Sequence, residues 1–405
     1  MARSTVTPHR ILFTDTTQGG VLGGSLTGVL ELIAHLDRTR FEPAFALFEP
    51  KAIVPELEAD GIRVHVLPAA RAPIAPPGLP GPAGKLARAA HRWRTIGFRA
   101  RQLVRVLRRE QPAIVYSSTG LMPGLPAVTA AALCGVPVVC HVKGFRQIGL
   151  EGRFLSRWID TAIFMTDEIS EHVRAQGVRA RRFLTIFDGI DVAAYASGSG
   201  AAVRRQFGIP ADAPVVGVVG HIQGWKGQLL AVEAVARARR RIPALRCLVV
   251  GGVHRLGDAY AAQLRERITA PDLGGHVILT GARQDVSACM DAMDVVLHTS
   301  DREPFGRVLI EAMAARRPVI APREGGPRVI VVDGETGMLV PPRDPDALAA
   351  AMVELLTDPA RRQAMGRAAR ARAEAVFGIR DHVRAVEDVF DEILAARAAR
   401  SPSVP

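Results

Sequence analysis

Short apolar runs alternate with helix-length amphipathic segments along this chain, and the alternation is laid down twice. The first set of strand-like runs is RILFTD, FEPAFALF, RVHVLP, AIVYSS, VPVVCHV, TAIFMT and RRFLTIFDGID. The second set is APVVGVVGH, LRCLVVGG, HVILTG, MDVVLHTS, PVIAP and GMLVPP, with helical patterns at 227–241, 256–269 and 306–316. Strands separated by helices cannot pair as hairpins, so they predict parallel sheets with helices on both faces. The expected fold is α/β, with two Rossmann-like doubly wound domains facing across a cleft. The first runs over 1–192. Segment 193–213, rich in Ala, Gly and Ser, reads as a hinge, and the second domain covers 214–384. A helix at about 385–405 is expected to pack back on the first domain. Segment 72–84, APIAPPGLPGPAG, reads as a Pro/Gly loop. Ligands of such sheets bind beyond the carboxyl ends of the strands, so those ends are where chemistry is sought.

The 405 residues suffice for two cores. No apolar stretch approaches the roughly 20 residues needed to span a bilayer, and MARSTVTPHR lacks the apolar region of a signal peptide. Cys134, Cys140, Cys247 and Cys289 are scattered in apolar runs with no metal-ligand spacing, as expected of core thiols in a reducing cytosol. The net charge is +12, but residues 61–109 hold eleven Lys and Arg and no Asp or Glu. One strip carries nearly all the imbalance, which weakens a general nucleic-acid reading.

The second half carries the chemistry. Lys226, in VVGHIQGWKGQ, follows a strand and precedes a helix, where an ammonium joins a helix N-terminus already suited to phosphate. Glu303 and Glu311 lie eight positions apart in SDREPFGRVLIEAMA, across a strand–loop–helix junction. Carboxylates there suit hydroxyls, while the cation suits a diphosphate. Pro304, Phe305 and Gly306 open the helix, so free backbone N–H groups lie beside them. The bland alternatives are a surface lysine in a Gly-containing loop, and for Glu311 a helix pair with Arg307.

EPFGRVLIEAMA resembles the E-x7-E signature of glycosyltransferase family 4, which has the GT-B fold. GGSLTGVLELIAHLD, FLTIFDGIDVAAY, VVGHIQGWKGQ, VILTGARQDV and VVDGETGMLVPPRDPDALAAAM resemble further segments of that family, so the likeness runs from about residue 10 to 390. The resemblance implies that Lys226 binds the donor diphosphate, Glu303 the donor sugar and Glu311 the ribose. It puts His141 near the transferring sugar and Gly23–Gly24 near the diphosphate or acceptor. Gly281–Asp285 would lie beside the base, with His221, Phe305 and Gly306 also in the donor site. Lys143 is a candidate for attracting an anionic ligand. This sequence departs from the family pattern at His221 (often Arg), Arg316 (usually Gly), Val329 (commonly Glu) and Asp188 (usually Asn).

The implied reaction is retaining transfer of a sugar from a nucleotide sugar to a hydroxyl of a glycan or lipid-linked acceptor, in cell-surface polysaccharide or glycolipid synthesis. No metal or other cofactor is expected, since Lys226 and helix N-termini can stabilise the leaving diphosphate. The strip at 85–110 interleaves Leu86, Trp93, Ile96, Phe98 and Leu103 with arginines. This suits either an anionic membrane surface or a helix packed on the sheet with a solvated face. A cytoplasmic enzyme, peripheral on the inner membrane face, is expected, with no nucleic-acid partner. The rival readings are a catalytically silent sugar-nucleotide-binding or scaffold subunit, and another GT-B enzyme such as a sugar-nucleotide epimerase or glycogen-type synthase.

Overall fold

The computed structural model describes residues 7–16, 24–68, 81–195, 199–254 and 256–399. The chain forms two compact units, Met1–Asp188 with Arg380–Pro405, and Gly189–Ile379.

The first unit is built on seven parallel strands: β1 His9–Asp15, β2 Phe41–Leu47, β3 Arg63–Val66, β4 Ile114–Ser117, β5 Val138–Val142, β6 Thr161–Phe164 and β7 Arg182–Thr185. Their spatial order is β3-β2-β1-β4-β5-β6-β7. Ile11, Leu12, Phe13, Val139 and Ile163 are wholly buried. Burial on both sheet faces explains why these strands read as continuous apolar runs rather than alternating ones. The helix Ile379–Ala398 closes this unit almost from its first residue. Phe390 packs edge-on against Phe41 and Tyr116, and Glu387 accepts a hydrogen bond from the Asp37 N–H at 2.8 Å.

The second unit has six parallel strands: β8 Val215–Val219, β9 Arg246–Val250, β10 Val277–Gly281, β11 Val295–Leu297, β12 Val319–Pro322 and β13 Gly337–Val340, in the order β10-β9-β8-β11-β12-β13. Its order reverses between β8 and β11, so the loops after those two strands diverge around a crevice at their carboxyl ends.

Three sequence expectations change. The Pro/Gly loop is shorter than 72–84, because the basic helix begins at Gly81 and runs to Glu110. A proline is tolerated there, since the first helical N–H groups have no intrahelical partner to lose. Segment 193–213, read as a hinge, is structured where described. It holds the helix Gly200–Gln206, whose first N–H donates to Asp291 at 2.9 Å. Arg204 in that helix grips the carbonyls of Ala292, Ala211 and Ala213 and the Asp294 carboxylate. Finally, the units divide between Asp188 and Gly189 and between Ile379 and Arg380, rather than at 192 and 384.

Candidate functional site

Two loops at the carboxyl edge of the second sheet are stitched together, and this brings the candidate lysine to the candidate glutamate. After β8 the chain turns through Gly224–Lys226 into the helix Gln228–Ala238. The Asp301 N–H donates to the Trp225 carbonyl at 2.7 Å, and the Thr299 hydroxyl to the Lys226 carbonyl at 2.9 Å. Gly227 makes the approach feasible. Its φ is +69°, and a Cβ there would stand 2.1 Å from the Thr299 carbonyl oxygen.

Lys226 Nζ donates to Glu303 Oε2 at 2.8 Å and lies 4.0 Å from the centroid of the Trp225 ring. His298 Nε2 stands 3.4 Å from the same carboxylate oxygen. Burial by itself would raise the Glu303 carboxyl. The Lys226 charge and the His298 contact outweigh it and hold the group well below the usual carboxylate range. Glu303 is therefore an anion at neutral pH despite being only 8% exposed.

The loop beyond Glu303 is equally constrained. The Gly326 N–H donates to the Glu303 carbonyl at 2.8 Å, and a Cβ on Gly326 would lie 2.1 Å from the Phe305 carbonyl oxygen. The Phe305 ring is buried edge-on against Phe377, so this residue offers the site its backbone rather than its ring. Gly306, at φ +107°, leads into the helix Arg307–Ala314 with no side chain capping it. The start of an α-helix carries N–H groups without intrahelical acceptors and a partial positive charge, so this end is suited to an anion. Glu311 lies one turn along, 3.9 Å from Arg307, which also donates to the Gly189 carbonyl.

Other candidates sit apart from the Lys226–Glu303 contact. His221 packs against His254, and burial, reinforced by that neighbour and by Lys226, lowers its pKa, so it is neutral. Gly281 takes φ +73° at the end of β10, and Asp285 beyond it is held by Arg283 through two hydrogen bonds of 2.8 and 2.7 Å. In the first unit, Gly24 opens the helix Gly24–His35, while Gly23 lies outside the described residues.

His141, at the end of β5, is 1% exposed, and its Nδ1 lies 2.7 Å from the Tyr116 hydroxyl. Burial keeps that phenol protonated and the imidazole neutral. Tyr116 therefore donates to Nδ1 and leaves the ring proton on Nε2, which stands 3.8 Å from Asp188. Asp188 is paired with Lys143 at 3.2 Å. The aspartate at the family's usual asparagine position thus has a buried cation two residues after His141. A cavity of about 180 Å³ lies beside this cluster, lined by Lys143, Arg146 and the residues opening the helix Leu121–Cys134.

The sequence reading missed His298 and Tyr116. Nothing in a periodic pattern marks either one. The only signal for His298 was a histidine where a buried strand ends, five residues before a candidate glutamate.

Two family descriptions match the chain, Glycosyl transferase 4-like domain over residues 23–189 and Glycosyl transferases group 1 over 201–372. The D-inositol 3-phosphate glycosyltransferase of Kineococcus radiotolerans is 37% identical over 61% of this chain, a match that spans 60% of that protein. The GDP-mannose-dependent alpha-mannosyltransferase of Mycobacterium tuberculosis is 29% identical over 81% of this chain and 84% of its own length. The crystal structure of Anabaena Alr3699/HepE in complex with UDP-glucose superposes with a TM-score of 0.78 at 25% identity, covering 95% of this chain and 100% of that one. With both units matched in sequence and the two-sheet architecture matched in structure, the chain belongs to the family 4-like glycosyltransferases of the GT-B fold.

Proposed function

We propose that this protein transfers a sugar from a nucleotide-sugar donor to a hydroxyl of a glycan or lipid-linked acceptor, with retention at the anomeric carbon. The observation that carries the reading is the Lys226–Glu303 pair beside the uncapped helix Arg307–Ala314. A donor diphosphate would take Lys226 and the helix N–H groups, releasing Glu303 to accept from sugar hydroxyls while Glu311 accepts from the ribose. As the glycosidic bond loosens, charge grows on the leaving diphosphate, where fixed cations and N–H groups contribute most. On this reading the leaving phosphate takes the acceptor proton on the same face, and no metal ion is required. His141 is assigned to the neighbourhood of the transferring sugar, with Tyr116 fixing its tautomer.

The relatives' names support an acceptor that carries a phosphate or an inositol-like polyol. Lys143 and Arg146 beside the first unit's cavity suit such an anion. The test is purified protein against UDP-, GDP- and ADP-sugars, with and without EDTA. Stabilisation by one donor, slow donor hydrolysis unaffected by EDTA, and a product of retained configuration are expected. Folded protein that binds no donor would sink the reading.

Placement on the inner face of a membrane, in polysaccharide or glycolipid synthesis, is part of the proposal. No helix among the described residues is long and apolar enough to cross a bilayer. The helix Gly81–Glu110 buries Ile96, Ala100, Leu103 and Leu107 and leaves Leu86 and Trp93 outward. Trp93 meets Phe154, which meets Trp158, and Arg157 lies over both Phe154 and Trp158. Exposed aromatics among arginines suit an anionic lipid interface. Co-sedimentation with anionic but not neutral vesicles is expected, and Trp93→Ala with Phe154→Ala should lower it severalfold. Equal, negligible binding to both vesicle types would remove the membrane from the proposal.

A further inference from the structure

The second unit contains a cavity of about 480 Å³ whose lining includes neither Lys226 nor Glu303. It opens at the carboxyl ends of β8, β11, β12 and β13, and its size falls within the usual range for ligand sites. We propose that this cavity binds a neutral sugar ring, at a site separate from the donor locus.

Its composition is two-sided. Leu230, Val340, Leu348 and two consecutive prolines give a stiff apolar wall, and the half-exposed Trp225 indole adds a flat face. Around the rim stand three carboxylates, Asp301, Glu324 and Asp344, each already anchored. Arg343 holds Asp301. The Arg302 N–H donates to Glu324 at 3.1 Å, and the Asp346 and Ala347 N–H groups donate to Asp344. Each carboxylate keeps lone pairs beyond these partners. Fixed acceptors over an apolar face match a sugar ring, which has C–H groups on one face and donor hydroxyls around its edge. The same carboxylates repel a phosphate, which sets this cavity apart from a diphosphate site. A purely apolar ligand would leave the rim carboxylates desolvated without partners.

Backbone conformation adds independent support. Among the described residues, four non-glycine positions take positive φ; one of them, Arg343 (+58°), lines the cavity, and another, Arg302 (+46°), directly follows the lining residue Asp301. Such conformations cost energy and persist where the surroundings over-determine them. The cavity also touches the donor pair from behind. His298 lines it and reaches Glu303, and Trp225 lines it beneath Lys226. A bound sugar would therefore be felt at the donor site without occupying it.

The inference does not rest on the transfer reading, because saccharide binding here can be measured whether or not a donor turns over. The experiment is saturation-transfer NMR and Trp fluorescence of the full chain with methyl glucoside, a neutral disaccharide, glucose 1-phosphate and indole. Neutral saccharides are expected to bind. Leu230→Trp, which fills the cavity, and Asp301→Asn, which removes a rim charge without adding bulk, should each weaken binding about tenfold. If Leu230→Trp does not fold, Asp301→Asn alone decides. Binding unchanged in Asp301→Asn, no binding of neutral sugars, tighter binding of the sugar phosphate, or binding of indole alone would each overturn the proposal.

Discussion

Lys226→Ala should abolish sugar transfer and at the same time make the second unit less stable. Removing one fixed donor to a developing oxyanion costs on the order of 10²–10³ in turnover, and on the proposed reading Lys226 would also bind the ground-state diphosphate, so the loss in kcat/KM should be larger. The stability effect has a separate origin. Lys226 and Glu303 have side chains 18% and 10% exposed, and deleting the cation strands a buried carboxylate. Breaking such a pair costs about 3 kcal/mol at this depth, the low end of the range for buried pairs. Lys226→Ala combined with Glu303→Gln should restore most of that stability and none of the activity. Calorimetry and initial rates on the three proteins separate the two effects.

The pH dependence should change sign between wild type and Lys226→Ala. In wild type the folded-state pKa of Glu303 is depressed from its ordinary value of 4.5. Its contribution is therefore fully present above that value and lost as pH falls through the folded pKa. Burial is the largest influence on this group, and Lys226 is its chief counterweight. Without Lys226 the folded pKa should lie above the unfolded one, so stability at this site is highest below the unfolded pKa and declines as pH rises past it. Between pH 4 and 7 the difference in stability between the two proteins should widen with pH. A constant difference across that range would mean that Glu303 is not the group being compensated.

The central strands were legible because they are buried on both faces, as in Val215–Val218, and no solvated alternation blurred them. The short helices Val54–Ala59, Leu150–Leu155 and Val286–Asp291 were not legible. Six residues are under two turns, too few to establish a helical period. Segment 193–213 is rich in small residues, and its described part is held in place by Arg204, which bonds Ala211 and Ala213 within the segment and Ala292 and Asp294 far from it in sequence. Lys226 and Glu303 were found as separate candidates for separate groups of a ligand. That they pair with each other is a property of two loops 77 residues apart. His298 and Trp225 gain their meaning from the same juxtaposition.

That juxtaposition depends on Gly227, and Gly227→Ala should undo it. Two obstacles act together. The residue sits at φ +69°, where alanine is strained by about 1 kcal/mol. The new methyl would also stand 2.1 Å from the Thr299 carbonyl oxygen and 3.0 Å from its carbonyl carbon, both backbone atoms that no rotamer change can move. The loops must separate, and the hydrogen bonds from Thr299 to Lys226 and from Asp301 to Trp225 lengthen or break, at about 1 kcal/mol each. The sum is about 3 kcal/mol, or roughly a 6–12 °C fall in melting temperature for a unit of this size. A displacement of about 1 Å at Lys226 should cost on the order of 100-fold in turnover as well. Gly97→Ala is the control. Gly97 lies inside the helix Gly81–Glu110 with nothing within 4 Å of its would-be Cβ, and the change should stabilise by roughly 0.5–1 kcal/mol. If Gly227→Ala melted and turned over like wild type while Gly97→Ala behaved as stated, the stitched loops would not be what presents Lys226 to its partners. The donor site would then have to be positioned by the Glu303–Gly326 side alone.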